Sequence, residues 1–240
     1  MKNKLTILFV VVSLVTWSQT KGKITYKVSI DKSTIEEPYE NPENTDAKNE
    51  ALEMLHESQP VESYLVFNDS ISLYYVEDNK EVPKFENIDG AISINPTGIN
   101  FNRGMAGGDR LFYTDWSRNY NISTFEIWGE KKRVKVDSMD WTITNETKEI
   151  KGYLCKKAIK DSDEKRVAWF TEDLPVKHGP RGFNGLPGLI LEFYNNKHYF
   201  VVKEIELNHP EVKDIIEPKE GPLITKEELR KLAGDPFGKD

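Results

Sequence analysis

The side chains that could do chemistry in this 240-residue sequence are four histidines, one cysteine and a glycine-rich segment near residue 180. His178, His198 and His209 stand among turn-forming residues, and His56 has no second metal-type ligand four residues later. Exposed loop histidines are therefore favoured, with zinc or copper bound by His178 and His198 as the alternative. A hydrolase needs a nucleophile beside a base, and the sequence contains no Gly-x-Ser-x-Gly elbow. We therefore expect a non-enzymatic protein with no catalytic, metal or cofactor site.

The single cysteine, Cys155, lies in a run from Tyr153 to Ala158 whose period-two alternation is typical of a strand with one inward face. A free cysteine behaves as a small core hydrophobe, so a buried and inert thiol is favoured over a reactive one. One cysteine also cannot close an intramolecular disulfide, so the stability of this chain must come from burial.

The glycine-rich segment, residues 175–193, is the least generic stretch of the chain. Its Leu186-Pro187-Gly188-Leu189 is typical of a type II turn, because proline presets φ at the second position and glycine supplies positive φ at the third. A phosphate-binding loop is the alternative, but such glycines lead into a helix, whereas these lead into the apolar run 189–193. A structural turn is therefore favoured. The motif residues are Gly179, Pro180, Phe183, Gly185, Leu186, Pro187, Gly188, Leu189 and Ile190.

Short alternating apolar runs separated by turn residues surround these groups and predict an antiparallel meander. The first run places Ile24, Tyr26, Val28 and Ile30 on one inward face. Asn68-Asp69-Ser70 and residues 195–198 are typical hairpin connections. The predicted strands cover residues 23–30, 62–67, 71–76, 91–94, 111–114, 122–128, 133–136, 141–144, 153–160, 167–171, 189–194 and 199–207.

Two short helices complete the predicted elements. Residues 47–57 have an amphipathic pattern, and Thr225-Lys226-Glu227-Glu228 is a capping box that begins a helix near residues 225–233, with Gly234 at its end. Residues 31–49 are predicted to be an exposed crossing, and residues 102–109 a flexible loop. The pattern as a whole predicts a mainly β fold with one or two short helices, in a single domain that covers residues 19–240.

Charge and aromatic content narrow the classes of partner. The chain has 40 acidic and 33 basic residues, a net charge of -7, which argues against nucleic acid because binding to phosphates needs a concentrated basic face. Aromatic residues make up 11% of the chain, enough to build a core. We expect Trp128, Trp141, Trp169 and Phe170 to fill that core or, as the alternative, to line a sheet face that receives an apolar ligand.

The N-terminus is typical of a secretory signal peptide. Lys2 and Lys4 form a positive region before an apolar stretch at residues 5–15, and Thr16 and Ser18 suit cleavage after residue 18. The mature chain would begin at residue 19, and no cysteine follows the apolar stretch to carry a lipid. We therefore expect a periplasmic or secreted protein that is not a lipoprotein, with an uncleaved anchor as the alternative.

The hexapeptide Gly185-Leu186-Pro187-Gly188-Leu189-Ile190 resembles the motif that names the GLPGLI family of exported bacterial proteins. The block from Trp141 to Ala158, together with Ala168-Trp169-Phe170, is similar to upstream parts of that family. Residues 141–158 also resemble, more distantly, the periplasmic lipoprotein carriers LolA and LolB. The first resemblance implies export without an established activity, and the second implies a curved antiparallel sheet or open half-barrel.

These inferences lead to a predicted function of limited detail. We expect a non-enzymatic binding or accessory protein whose partner is an apolar ligand, a peptide or an outer-membrane or envelope protein. An enzyme with an unrecognised site and a structural component of the envelope are the alternatives. A cleft with several ionisable side chains of shifted pKa would favour the enzyme.

Overall fold

The computed structural model describes residues 21–35, 52, 54–77, 85–88, 91–94, 100–137, 139–209, 212 and 214–232. Residues 1–18, assigned to a signal peptide, most of the expected crossing at 31–49, the first part of the expected helix at 47–57, and Gly234 lie outside them. Within the described part, residues 52 and 54–57 are helical, as the amphipathic pattern predicts.

Strands dominate the described residues and confirm a mainly β fold. The strands are β1 (Gly22–Ile30), β2 (Val61–Phe67), β3 (Ile71–Val76), β4 (Phe85–Ile88), β5 (Ala91–Ile94), β6 (Phe112–Asp115), β7 (Tyr120–Ile127), β8 (Glu130–Lys135), β9 (Trp141–Ile150), β10 (Tyr153–Lys160), β11 (Asp163–Thr171), β12 (Leu189–Asn195), β13 (His198–Leu207) and β14 (Leu223–Ile224). The helices are α1 (Phe101–Ala106) and α2 (Lys226–Leu232), and 3-10 turns occupy Lys32–Thr34, Trp116–Arg118 and Pro180–Gly182.

Twelve of these strands form one open sheet in the order β14-β8-β7-β6-β3-β2-β1-β13-β12-β11-β10-β9, and β4 and β5 pair separately. All neighbours in the large sheet are antiparallel except β14 and β8. The predicted meander is therefore present as two halves, β2 to β8 and β9 to β13, joined by β1. Because β1 pairs with both β2 and β13, the first strand lies between the two halves of the sheet and joins them.

The inner face of the sheet begins with β1, whose alternation is confirmed. Ile24, Tyr26 and Val28 are fully buried. Directly opposite residues of antiparallel strands project to the same face, so the pairing of Val28 with Phe200, and of Phe200 with Phe193, extends this apolar face into the second half. This shared face is the core.

The predicted strands are all present, and most boundaries agree to within three residues. The strand β9 continues six residues beyond the predicted end, because ladder pairing with β10 holds it extended although residues 145–149 are polar. Lys151 and Gly152, with φ of 53° and 83°, form the tight turn of that hairpin. The strands β4 and β14 were not predicted.

The expectation of a flexible loop at residues 102–109 is wrong in its first part, since α1 occupies residues 101–106. The Asn100 side chain caps this helix by accepting from the Asn102 backbone N–H at 3.0 Å. The buried Asn102 amide donates to the Gln59 carbonyl at 2.9 Å, and the Tyr74 hydroxyl donates to the Ala106 carbonyl at 2.8 Å. These contacts are long-range in sequence, so the local pattern did not reveal the helix.

The capping box of α2 is confirmed. The Glu228 carboxylate accepts from the Thr225 backbone N–H at 2.7 Å, and the Thr225 hydroxyl accepts from the Glu228 backbone N–H at 3.1 Å. Neither α2 nor any other helix among the described residues has the length and apolar character needed to cross a membrane.

Candidate functional site

The glycine-rich motif enters the interior instead of skirting the sheet. We call residues 174–190 the crossing segment; they run from the end of β11 into the first residues of β12. Leu174, Val176 and His178 are buried and alternate with exposed residues. The segment folds back on itself, because the Leu189 N–H donates to the Leu174 carbonyl and the Ile190 N–H to the His178 carbonyl, both at 3.0 Å.

The crossing segment contacts both halves of the sheet. In the second half, the Trp141 indole N–H donates to the Asn184 carbonyl at 2.8 Å. In the first half, the Asn184 amide donates to the Thr114 hydroxyl at 3.2 Å, and His178 Nε2 lies 3.0 Å from the Asn68 carbonyl oxygen. The segment therefore connects strands that lie far apart in the sheet order.

The motif residues themselves mainly fill the core. Phe183 stacks on Phe193 with 3.9 Å between ring centroids, and Leu186 is 1% exposed. Among the remaining motif positions, Gly179, Pro180, Gly188, Leu189 and Ile190 are buried, Gly185 is intermediate and Pro187 is exposed. A structural role for the hexapeptide agrees with this placement.

The expected type II turn at Leu186–Leu189 is wrong, since the φ of Gly188 lies outside the left-handed range that the third position of such a turn requires. Glycine is needed there for another reason. A Cβ on Gly188 would lie 1.9 Å from the Thr171 carbonyl oxygen, so only a residue without a side chain lets the segment pass so close to β11.

The four aromatic candidates do not converge. Phe170 is fully buried, and Trp141 packs against the core with its ring edge-on to Phe193. Trp169 lies opposite Glu192, on the face away from Phe193, where the Lys148 ammonium sits 4.4 Å from its ring centroid. Trp128 is 87% exposed, so the expectation that it fills the core is wrong. It occupies a turn with φ of 53°, which the local apolar pattern did not reveal.

The expectation of exposed loop histidines is wrong for His178 and His198, which are 0% and 5% exposed. Burial lowers the pKa of each to about 4, and for His198 the charge of Arg181 acts in the same direction. Both rings are therefore neutral at pH 7. Among the described residues no group of three His, Cys, Asp or Glu side chains could hold a metal ion.

Cys155 is buried, as predicted. Burial raises the pKa of its thiol to about 11. The thiolate is the nucleophilic form of cysteine, so this side chain is unreactive at neutral pH.

Three arginines gather where the crossing segment turns, and the sequence interpretation missed them. We call Arg110, Arg166, Arg181 and the neighbouring His198 the arginine cluster. Burial, and then the charge of Arg110, lowers the pKa of Arg181 to about 10, and Arg166 acts in the same direction. Arg110 and the Gly182 backbone both lie beside the Phe112 ring, and Arg166 lies 5.8 Å from the Phe183 ring centroid, so three separate parts of the chain meet at this turn.

Each member of the arginine cluster has a defined position. Arg166 lies opposite Asn195, and Asn195 opposite His198, in one row of the inner face. The Arg110 Nε donates to the Gly107 carbonyl at 3.0 Å, and its guanidinium lies 5.6 Å from the ring centroid of Phe112. The rings and the backbone thus orient cations at one end of the interior.

Buried nitrogens of His198 and Arg166 lack a hydrogen-bond partner, and Arg181 lacks an ion-pair partner among the described residues. Neither ring nitrogen of the buried His198 has a hydrogen-bond partner. No described acidic side chain forms an ion pair with Arg181 or Arg110, whereas Arg166 Nε lies 3.1 Å from the Asp163 carboxylate. Arg181 also has a left-handed φ of 52°, which is unusual for a residue with a side chain. Its position between the motif glycines Gly179 and Gly182 is the only signal that sequence offered.

Comparison with known proteins shows a fold and a short family match. The family described as "Protein of unknown function (Porph_ging)" matches residues 160–192, which include the hexapeptide and the turn at Arg181. The structures of PNGF-II in the C2 and P21 space groups are similar to this chain, with TM-scores of 0.54 and 0.53 and 16% identity. Each match covers 91% of this chain and 33% or 34% of that one, so this chain spans about a third of PNGF-II. No curated protein matches the sequence.

Proposed function

We propose that this chain is a non-enzymatic binding or accessory protein of the bacterial envelope, exported through its N-terminal signal, and that it binds its ligand at the arginine cluster. The observation that supports the proposal is the state of His198. Its ring is 5% exposed, both ring nitrogens lack partners, and the neighbouring Arg181 has no carboxylate.

A buried polar atom without a partner costs about 1–3 kcal/mol, and native proteins keep few such atoms. A ligand that accepts from Arg181 and pairs with His198 would recover this energy on binding. The backbone strain at Arg181 supports the same interpretation, since strained residues concentrate at ligand clamps and active sites.

Binding is favoured over catalysis by what the cluster offers. Three guanidiniums and one neutral imidazole can hold and orient a ligand. The nucleophilic candidate of the sequence, Cys155, lies in β10 and keeps its proton at neutral pH. The similarity to about a third of PNGF-II also fits an accessory domain, since a fold of this kind occurs there within a longer chain.

Native mass spectrometry of the protein purified from its own envelope tests the proposal. We expect a bound species of defined mass on the wild-type protein and its loss in His198→Leu, because leucine removes both ring nitrogens at similar volume. His56→Leu, at an exposed histidine of the short helix, is the matched control and should keep the bound mass. A wild-type protein without added mass, or full retention of the ligand by His198→Leu, would overturn the proposal.

Export is tested separately. N-terminal sequencing of the extracytoplasmic protein is expected to begin at Gln19. A chain recovered only from the cytoplasm with Met1 intact would contradict the envelope part of the proposal.

A further inference from the structure

From the arginine cluster we infer the chemical class of the ligand: its binding group is an oxyanion, a carboxylate or a phosphate, held between the guanidiniums of Arg181 and Arg110 with Arg166 beside them. This inference rests on the proposed function, because it names the ligand of the same site.

The first argument is the balance of charge in the cluster. Arg110 and Arg181 have no acidic partner among the described residues, and the nearby charges are cationic: Arg166 and, next to His198, Lys197. Arg166 is the exception, since it shares its charge with Asp163, and both of these side chains are about one-third exposed. Charged side chains that lose contact with water are normally paired. A bound anion would supply the missing negative charge.

The second argument is the way in which the guanidiniums are held. Arg110 lies 5.6 Å from the ring centroid of Phe112 and 5.2 Å from that of Phe125, and Arg166 lies 5.8 Å from that of Phe183. Aromatic faces fix the plane of a guanidinium and leave its N–H groups free to point at an acceptor. A planar fork of N–H donors fits carboxylate and phosphate oxygens in pairs.

The third argument is the backbone at Arg181. Its φ of 52° is followed by Gly182 with φ of 76°, and a Cβ on Gly182 would lie 3.1 Å from the Phe112 ring. The Gly182 backbone thus lies against Phe112 of β6, the residue whose ring also lies near the Arg110 guanidinium. A glycine at position 181 would remove the strain, so the arginine is kept there at a cost to the backbone.

The donors of the cluster suit one anionic group. The cationic side chains lie at one end of an interior that the crossing segment fills, in a chain whose net charge is -7. A nucleic-acid backbone needs an extended basic surface. The neutral His198 ring, which is 5% exposed, adds one N–H donor, which suits a single oxyanion.

Binding of simple anions tests the inference. Isothermal titration with sodium phosphate and with sodium acetate, each at constant ionic strength set by chloride, is expected to show saturable binding of at least one of them. The affinity of the Arg181→Gln variant for the anion should be lower by a factor of about ten or more, since the variant loses a charge-assisted contact. Arg230→Gln, which makes the same change of charge on the exposed helix α2, should bind like the wild type.

A second variant tests the inference if Arg181→Gln fails to fold. Arg181→Gly suits the left-handed backbone and should fold at least as well as the wild type, yet lose the anion. A titration of the His198 ring by NMR gives an independent readout, because a bound anion should raise the pKa of that ring in the wild type and not in Arg181→Gly. The inference is overturned if neither anion binds saturably, or if both Arg181 variants bind as tightly as the wild type.

Vesicles distinguish a free oxyanion from one carried by a lipid headgroup. Binding to vesicles of phosphatidylglycerol, but not phosphatidylcholine, that depends on Arg181 would assign the oxyanion to a headgroup. Binding of phosphate or acetate without vesicle binding would assign it to a soluble ligand. The inference and the proposed function can fail separately. If the native protein carries a neutral ligand, the inference of an oxyanion is refuted and the proposed function is not. If the protein binds anions but carries no ligand from the envelope, the proposed function is refuted and the inference is not.

Discussion

Two parts of the interior differ in how their polar groups are paired: residues 185–190 of the crossing segment, here the hexapeptide end, and the turn at Arg181 with His198 of β13, here the arginine end. At the hexapeptide end Leu186, Leu189 and Ile190 are buried, and the N–H groups of Leu189 and Ile190 are hydrogen-bonded within the segment. At the arginine end Arg181 has a strained φ and no acidic partner, and His198 has two unpartnered nitrogens. Both ends are only a few residues apart in the chain.

The difference separates packing from binding. The hexapeptide end, whose sequence is the more distinctive, serves packing. Its glycine lets the chain pass close to β11, and its leucines fill the core. The arginine end, whose sequence is less distinctive, contains polar groups that have no hydrogen-bond or ion-pair partner in the described part of the fold. A residue that is costly to the fold is a better candidate for function than one that the fold explains.

Loss of the core contact in the crossing segment should have the largest effect. Phe183→Ala removes the ring that stacks on Phe193 and is expected to lower the free energy of unfolding by about 3–5 kcal/mol. Urea unfolding measures this change. Trp128→Ala, at the 87% exposed tryptophan, should change stability by less than about 0.5 kcal/mol. Equal losses in the two variants would contradict the placement of both rings.

Gly188→Ala should follow, with a loss of about 3 kcal/mol, because its Cβ would meet the Thr171 carbonyl oxygen at 1.9 Å and the backbone must shift. Gly152→Ala is the control. It has a positive φ of 83° but open space around its Cβ position, so only backbone strain of about 1 kcal/mol applies. If Gly188→Ala costs no more than Gly152→Ala in thermal unfolding, the close approach is not what requires glycine.

Acid should lower the stability of the protein through His178 of the crossing segment and His198 of β13. Burial lowers the pKa of His178 and His198 to about 4, so the unfolded chain, with histidine pKa near 6.5, binds more protons between these values. Stability is therefore complete above pH 6.5 and falls as pH drops towards 4, by about 1.4 kcal/mol per pH unit for each histidine.

Comparison of variants isolates this contribution from that of the carboxylates. Between pH 7 and pH 5 the His178→Gln variant should lose about 2 kcal/mol less than the wild type, measured by urea unfolding at each pH. A parallel pH dependence in the two proteins would show that His178 is not buried in its neutral form.

A small gain in stability is expected at the arginine end. Arg181→Gly should raise the free energy of unfolding by about 1 kcal/mol, because it relieves the left-handed strain and removes a charge from a cationic cluster. Lys151→Gly, with a φ of 53° at an exposed hairpin turn, relieves strain alone and should gain less. A loss of stability in Arg181→Gly would mean that the arginine serves the fold after all.

Much of the fold was predictable because its determinants are local. The period-two pattern of β1 and the Asn68 turn predict elements that the structure confirms, since the Asn68 side chain accepts from the Ile71 N–H at 2.8 Å within its own hairpin. The helix α1 was missed because Asn102 is anchored by the carbonyl of Gln59, 43 residues earlier. The exposure of Trp128 was missed because apolar character does not reveal that a turn directs the ring into solvent.

The candidate site was hardly predictable for the same reason. Arg110, Arg166 and Arg181 lie in different elements, and the pairing of Arg166 with Asn195 and of Asn195 with His198 is a property of register. The sequence interpretation placed His178 and His198 in exposed turns, although each is buried. Exposure depends on what covers a residue, and for His178 the contact is with Asn68, 110 residues earlier in the chain.

By itself, the sequence determined that this chain is a mainly β protein with hairpins at its asparagine turns, a capped terminal helix and a buried, inert cysteine. Alternation, turn chemistry and capping act between residues close in the chain, so they can be read without coordinates. Only the tertiary structure decided that the hexapeptide is a crossing in the core, why Gly188 must be glycine, and that three arginines meet beside an unpartnered histidine. Those facts depend on strand order and on close approach between distant segments, which no local pattern encodes.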